Sequence, residues 1–231
     1  MNLELHYKKL YSESIDKISK DDYEIDNLID SDSDNRFGIT LLVRPSADVK
    51  EKIQEFLNKI KKIEPDQYYY PNSDIHITVM SIISCYEGFD ISKTDLPRYI
   101  ELIEKCLTGE RDLDITLKGI TASPSGIMVR GFMENGGLNN IRERLRKEFR
   151  GSDLEQSLDK RYSIQTAHST IIRFRSQLTY RERFLKTLEE NIDHDFGTFR
   201  IGKFELVYND WYQRERYVRK IWDFTPENDV V

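Results

Sequence analysis

The chain has little of what marks the commoner kinds of site. Only two of its 231 residues are cysteines, Cys85 and Cys106, and they fall in different expected elements. That argues against a disulfide framework or a cysteine metal cluster and leaves two buried thiols as the expectation. Histidine is also scarce, four in all, and neither His-x-x-x-His nor Cys-x-x-Cys occurs. No metal site is read from the sequence, and no cofactor is expected. Long apolar runs are missing too: nothing approaches the roughly 18 consecutive apolar residues of a membrane span. The first twenty residues alternate Leu, Tyr and Ile with Lys, Glu and Ser, without the apolar stretch of a signal peptide, so a cytoplasmic protein with no membrane partner is expected.

An excess of positive charge is absent as well. The net charge of -6 argues against a protein that grips a long nucleic-acid duplex, which needs a basic face to displace counterions. A small phosphorylated ligand needs only a local group of cations, such as Arg142, Arg144, Arg146, Lys147 and Arg150, or the Arg173/Arg175 pair. The first group has the spacing of a helix and reads as its solvated face. One further motif fails on inspection. Asp30, Asp32 and Asp34 have the spacing that opens a calcium loop, but the sixth position is Asn35 and the twelfth Leu41, so no EF-hand is read.

What is present is a regular alternation of strands and helices. Residues 1–20 suit an amphipathic helix, and 21–36 form an acidic, serine-containing stretch that reads as a linker. From Phe37 the apolar run FGITLLV predicts a buried strand, followed by a helix over 48–63 and a tyrosine-rich segment, Tyr68 to Tyr70. The strand IHITVMSII and a helix over 96–108 complete one unit. The second unit repeats the order: a strand over 112–122, a Ser-Pro-Ser-Gly turn, the strand GIMVRGF, a helix over 138–149, the strand AHSTIIRF and a helix over 180–192. Two last strands, 199–209 and 217–224, are expected to form a hairpin around NDWYQRER. The pattern predicts an α/β or α+β protein with internal duplication.

Each half carries one marked histidine. His76-Ile77-Thr78-Val79 lies in the first and His168-Ser169-Thr170-Ile171 in the second. On a strand, side chains alternate between faces, so His76 and Thr78 share one face while Ile75, Ile77 and Val79 take the other, and His168 and Thr170 do likewise. The apolar face belongs to the core and the polar pair to a cleft. Two imidazoles suit metal-free phosphodiester cleavage, one accepting a proton from the attacking oxygen and the other donating one to the leaving oxygen. The two threonine hydroxyls would donate hydrogen bonds to the phosphate as charge grows on it. The remaining histidines suggest less: His6 belongs to the first helix, and His194, between two aspartates, reads as a loop residue.

On these motifs the sequence resembles the 2H phosphoesterase superfamily, which includes the 2'-5' RNA ligase-like proteins and cyclic phosphodiesterases, over about 37–225. The resemblance implies an α+β, bilobal, pseudo-symmetric fold whose two antiparallel-rich sheets frame a central cleft with helices outside. It divides the chain into residues 1–36 and a single domain over 37–231, with lobes near 37–110 and 111–225 that can exchange strands. It carries His76, Thr78, His168 and Thr170 over as catalytic positions and implies hydrolysis of cyclic phosphates or 2'-5' linkages in nucleotides or RNA ends. Cyclic oligonucleotide messengers are an alternative substrate, and a non-catalytic nucleotide-binding module is an alternative function. For substrate contacts the sequence offers Tyr70, Tyr208 and Trp211 as stacking surfaces, with Tyr68, Tyr69 and Tyr212 nearby, and Arg44 and Arg173 as phosphate partners beside Arg130.

Overall fold

A computed structural model describes residues 2–133, 136–160 and 163–226, in which nine strands and five α-helices are found. The chain opens with α1 (Leu3–Ser19), capped where the Asn2 side chain accepts the Leu5 backbone N–H. The strand β1 (Arg36–Val43) and helix α2 (Ala47–Lys61) follow, then the two-residue β2 (Tyr68–Tyr69) and the long β3 (Ile77–Glu87). Helix α3 (Leu96–Leu107), the hairpin β4 (Asp114–Ser123) and β5 (Gly126–Phe132), and α4 (Gly137–Arg150) come next. The chain then forms β6 (Ser169–Arg173), α5 (Arg181–Glu190), β7 (Asp195–Arg200), β8 (Phe204–Asp210) and β9 (Arg219–Phe224). The apolar periodicities that predicted the four later helices place them within two residues of where they fold.

All strand pairings among the described residues are antiparallel. They make a four-stranded sheet, β3-β1-β8-β9, and a five-stranded sheet, β2-β6-β5-β4-β7, which gives the α+β architecture. The sheets do not follow the halves of the sequence. Residues 199–209, expected as one strand of a terminal hairpin, are two: Phe199 pairs with Ile115 in the larger sheet, whereas Tyr208 pairs with Ile39 in the smaller. The exposed Gly202-Lys203 step carries the chain between them. In the other direction, β2 leaves the first half to pair with β6. Helices cross over too, since α2 packs against β7 and α4 against β3. Each half of the chain therefore closes the core of the other, and one continuous set of buried apolar side chains runs from Ile39 and Leu41 through Leu117 and Val129 to Phe196 and Leu206.

The stretch before Phe37 corrects a second expectation. Residues 21–36 are docked rather than loose: the Glu24 N–H donates to the Pro124 carbonyl at 2.8 Å, and the Asp26 N–H donates to the Phe174 carbonyl at 2.7 Å. Ile29 is buried, and the Tyr23 hydroxyl accepts the Leu178 N–H at 2.7 Å. Two anchoring side chains within an otherwise acidic segment suffice because the backbone finds partners on the larger sheet. Helix α1 packs on β4, with Tyr7 and Ile18 in the interior.

Candidate active site

Both marked histidines sit at strand entrances. β3 begins at Ile77 and β6 at Ser169, so His76 and His168 are each the residue just before a strand, not inside it. The alternation of faces survives that shift. Ile75, Ile77 and Val79 are fully buried, as are Ser169 and Ile171, while His76, Thr78, His168 and Thr170 are half-buried on the opposite face. All four of these side chains line one cavity of about 190 Å³ between the sheets. The close approach of β5 to the second motif depends on Gly131: a Cβ there would meet the Ala167 carbonyl oxygen at 1.8 Å.

The two rings are held through Nδ1. His76 Nδ1 lies 2.7 Å from the Asp74 carbonyl oxygen, which only accepts, so Nδ1 carries the hydrogen and the neutral ring presents its lone pair at Nε2. His168 Nδ1 lies 2.7 Å from the Thr166 hydroxyl, a group that can donate or accept. Solvent reaches the cleft side of each ring, but the protein packed around them pushes both pKa values down to about 4. Burial is the main cause in each case, with Arg44 and Arg173 adding positive charge near His76 and Arg142 and Arg173 near His168. Both imidazoles are thus neutral in the ligand-free protein near pH 7.

Arg142 joins the two motifs. Far from lying on a solvated face, it is 1% exposed, and its guanidinium donates to the carbonyls of Val79 (2.9 Å), Thr78 (3.1 Å) and Thr166 (2.8 Å). One side chain on α4 therefore fixes the backbone of the first motif and of the residue that holds His168. Arg146, also buried, binds Asp159 and the Ile164 carbonyl, ahead of β6. Periodicity put these arginines on a helix correctly, but it could not show that β3 and irregular chain cover that face.

The substrate-contact candidates separate into two groups. Tyr70, Arg173 and Trp211 line the cavity, and Arg173 Nε donates to the Tyr70 hydroxyl at 3.0 Å. Arg44 and Tyr208 do not line it. Arg44 is engaged by Glu205 at 2.9 Å and by the Ser73 carbonyl, and Tyr208 stacks on Phe37 with centroids 4.9 Å apart. Arg130 is held by Asp193 and the Ile192 carbonyl, Tyr212 by Asp26, and His194 packs against Phe196. The cavity adds residues that the sequence did not flag, among them Lys160, Asn209 and Gln213. The amide oxygens of Asn209 and Gln213 are buried with no hydrogen-bond partner among the described residues. Such acceptors are costly to leave unmatched. Gln213 also has φ of +61°, a left-handed backbone that is uncommon for a residue other than glycine. An Asn and a Gln flanking an aromatic turn gave no signal in sequence because their value depends on where β8 ends.

A model of the AKAP7 2'5' RNA ligase-like domain matches residues 39–217, which span both histidine motifs. The chain belongs to this family, within the 2H phosphoesterase superfamily. Solved structures agree in fold. TT0787 of Thermus thermophilus superposes with a TM-score of 0.59 at 15% identity, over 83% of this chain and 98% of that one. E. coli LigT complexed with 3'-AMP gives 0.53 at 11% identity over 84% and 99%. ATU0111 from Agrobacterium tumefaciens str. C58 gives 0.51 at 11% over 90% and 97%. No curated protein matches this chain. Membership of the 2H family points to phosphodiester-processing activity. Among the described residues no helix is long and apolar enough to cross a membrane.

Proposed function

We propose that this protein is a metal-independent phosphodiesterase that hydrolyses cyclic phosphate or 2'-5' phosphodiester bonds in nucleotides or RNA ends, with His76 and His168 as its acid-base pair. The observation that carries this reading is the meeting of both His-Thr pairs, one from each sheet, in a single cavity with both rings anchored through Nδ1. A phosphate between the pairs faces both Nε2 atoms. Its negative charge opposes the burial that keeps the rings neutral and favours one imidazolium. His76 is suited to be the base, because the Asp74 carbonyl leaves Nε2 free to take a proton and then stabilises the imidazolium that forms. His168, whose Thr166 partner can accept from Nδ1–H, is suited to be the imidazolium that the phosphate favours and to give up its Nε2 proton as the acid.

In hydrolysis, water attacks phosphorus as His76 takes one of its protons. The bond from phosphorus to the leaving oxygen breaks, and that oxygen receives the proton of His168. Thr78 and Thr170 donate hydrogen bonds to the nonbridging oxygens, and Arg173 and Lys160 supply positive charge at the wall. The family's 2'-5' RNA ligase-like description and the 3'-AMP complex of LigT support a nucleotide ligand, as does a net charge that disfavours long nucleic acids.

Turnover of 2',3'-cyclic nucleotides, 2'-5' linked dinucleotides and cyclic oligonucleotides in the presence of EDTA tests the proposal. Product is expected with chelator present and is expected to fall by about 10² or more in His76→Ala and in His168→Ala. Product that persists in either variant, or that EDTA abolishes, contradicts it.

A further inference from the structure

Arg173 reaches the cavity through an irregularity in its own strand. Thr170 of β6 lies opposite Met128 and Ile172 opposite Ile127, so Ile171 is an extra residue there, and the bulge reverses the alternation of faces beyond it. Arg173 would otherwise share the core-facing side of Ser169 and Ile171. Instead it lines the cavity with both His-Thr pairs. Its Nε donates to the Tyr70 hydroxyl at 3.0 Å, and neither terminal nitrogen has a hydrogen-bond partner among the described residues, which leaves two donors for an anion. The guanidinium also lies over the ring of Tyr212, 5.6 Å from its centroid. That ring is fully buried and is tied from outside the residues that match the family model, which begin at 39. Its hydroxyl donates to Asp26 Oδ1 at 2.8 Å and accepts from Arg36 Nη2 at 3.2 Å. Asp26 is fixed in turn, because its N–H donates to the carbonyl of Phe174, the residue after Arg173, at 2.7 Å.

We infer that Asp26 is a positioning residue for the reaction: it holds the Tyr212 ring, and that ring holds the Arg173 guanidinium toward the phosphate. The inference rests on the phosphodiesterase reading above, and it makes the acidic segment before Phe37 a working part of the site. A guanidinium tied only at Nε can still turn about that bond, and contact with a fixed aromatic ring limits the turn, so that the free donors meet the phosphate already oriented. Packing alone would not fix the ring in this way. Arg36, Arg173 and Arg214 lie 5.9, 5.6 and 4.8 Å from its centroid, and the Asp26 carboxylate supplies negative charge to this group of cations while it accepts the hydroxyl.

A double-mutant cycle in the full chain tests this, with turnover of adenosine 2',3'-cyclic phosphate in the presence of EDTA as the readout. Arg173→Lys keeps the charge but not the fork, and Asp26→Ala removes the anchor of the ring; each is expected to lower kcat/KM by about tenfold. In the Arg173→Lys background, Asp26→Ala is expected to add less than about twofold, because the group it positions is already gone. Asp26→Asn, which still accepts the Tyr212 hydroxyl, is expected to stay within twofold of the wild type. Leu28→Ala, an exposed change in the same segment, is expected to match the wild type. Where Asp26→Ala fails to fold, Tyr212→Phe, which keeps the ring and removes only the hydroxyl, takes its place in the cycle. Additive losses, an equal loss in Asp26→Asn or Leu28→Ala, or no loss in Asp26→Ala overturns the positioning role while leaving the hydrolase reading intact. If the wild type turns over no substrate, calorimetric binding of adenosine 2'-monophosphate to the same proteins decides. A loss of affinity in Asp26→Ala that disappears in the Arg173→Lys background supports the positioning role and removes only the catalytic reading. Additive losses of affinity, or no binding by the wild type, overturn it.

Discussion

His76 and His168 occupy matching places, each one residue before a strand and two before a threonine, yet they are supported differently. His76 leans on a backbone carbonyl, and the peptide that supplies it is itself held: the Asp74 carboxylate accepts the Glu215 N–H at 3.0 Å and the Ser73 hydroxyl at 2.7 Å. His168 leans on the hydroxyl of Thr166, whose backbone carbonyl is gripped by Arg142. A carbonyl fixes one tautomer, whereas a hydroxyl permits both. Two imidazoles at matching places thus have different partners, and the proposed mechanism assigns each a separate task.

Changes at the two sites can break or sharpen that contrast. Replacing either histidine with alanine removes half of the proposed acid-base pair and is expected to have the largest effect, about 10² or more in kcat, read by product formation at saturating substrate. Arg142→Met ranks next, because three carbonyls serving both motifs lose a buried charged donor together. A loss of about 3 kcal/mol in unfolding free energy is expected, measured by denaturant titration. Thr166→Val separates the two histidines: kcat is expected to fall up to about tenfold through His168 alone, with KM little changed. Asp74→Ala is the mirror change, expected to cost a similar factor through the loosened peptide at His76. If both variants altered the same limb of the pH profile, the assignment of separate tasks would fail.

A separate effect is on stability against pH. Each ring has a folded pKa of about 4 against an ordinary 6.5, so the unfolded chain binds more protons in that window. Stability is then full above pH 6.5 and declines as the pH falls toward 4. Carboxylates titrate nearby, so the informative quantity is the difference in Tm between the wild type and a His76→Gln/His168→Gln double variant. That difference is expected to shrink or change sign as the pH drops through the window. The same pKa values act on catalysis. The profile of kcat/KM, which reports the free enzyme, is expected to lie on the acid side of the profile of kcat, because bound phosphate raises the imidazole pKa.

Much of the site was legible in the sequence because its signal is local. A histidine and a threonine two residues apart, flanked by Ile75, Ile77 and Val79 or by Ala167 and Ile171, state their shared face through strand alternation alone. Helices α2 to α5 were legible for the same reason, from their own periodicity. What escaped depends on contacts between distant segments. Residues 199–209 read as one strand because both parts are apolar and alternating, and only pairing with β4 and β1 divides them. Arg142 and Arg146 read as solvated because helical periodicity does not reveal what covers the helix, here β3 and the chain around Asp159 and Thr166. The 21–36 segment read as a linker because its acidic composition hid two anchors, Tyr23 and Ile29. Trp211 announced itself as an aromatic near a turn, but Tyr208, three residues earlier, looked the same and packs on Phe37.

The most direct test of the central claim is an NMR titration of the ring nitrogens of His76 and His168, with and without saturating adenosine 2'-monophosphate. Two neutral imidazoles acting on one phosphate predict that both stay unprotonated down to about pH 5 in the free protein, and that the ligand shifts both signals and raises the pKa of at least one. Rings that titrate independently near 6.5 and do not respond to the ligand would contradict the account.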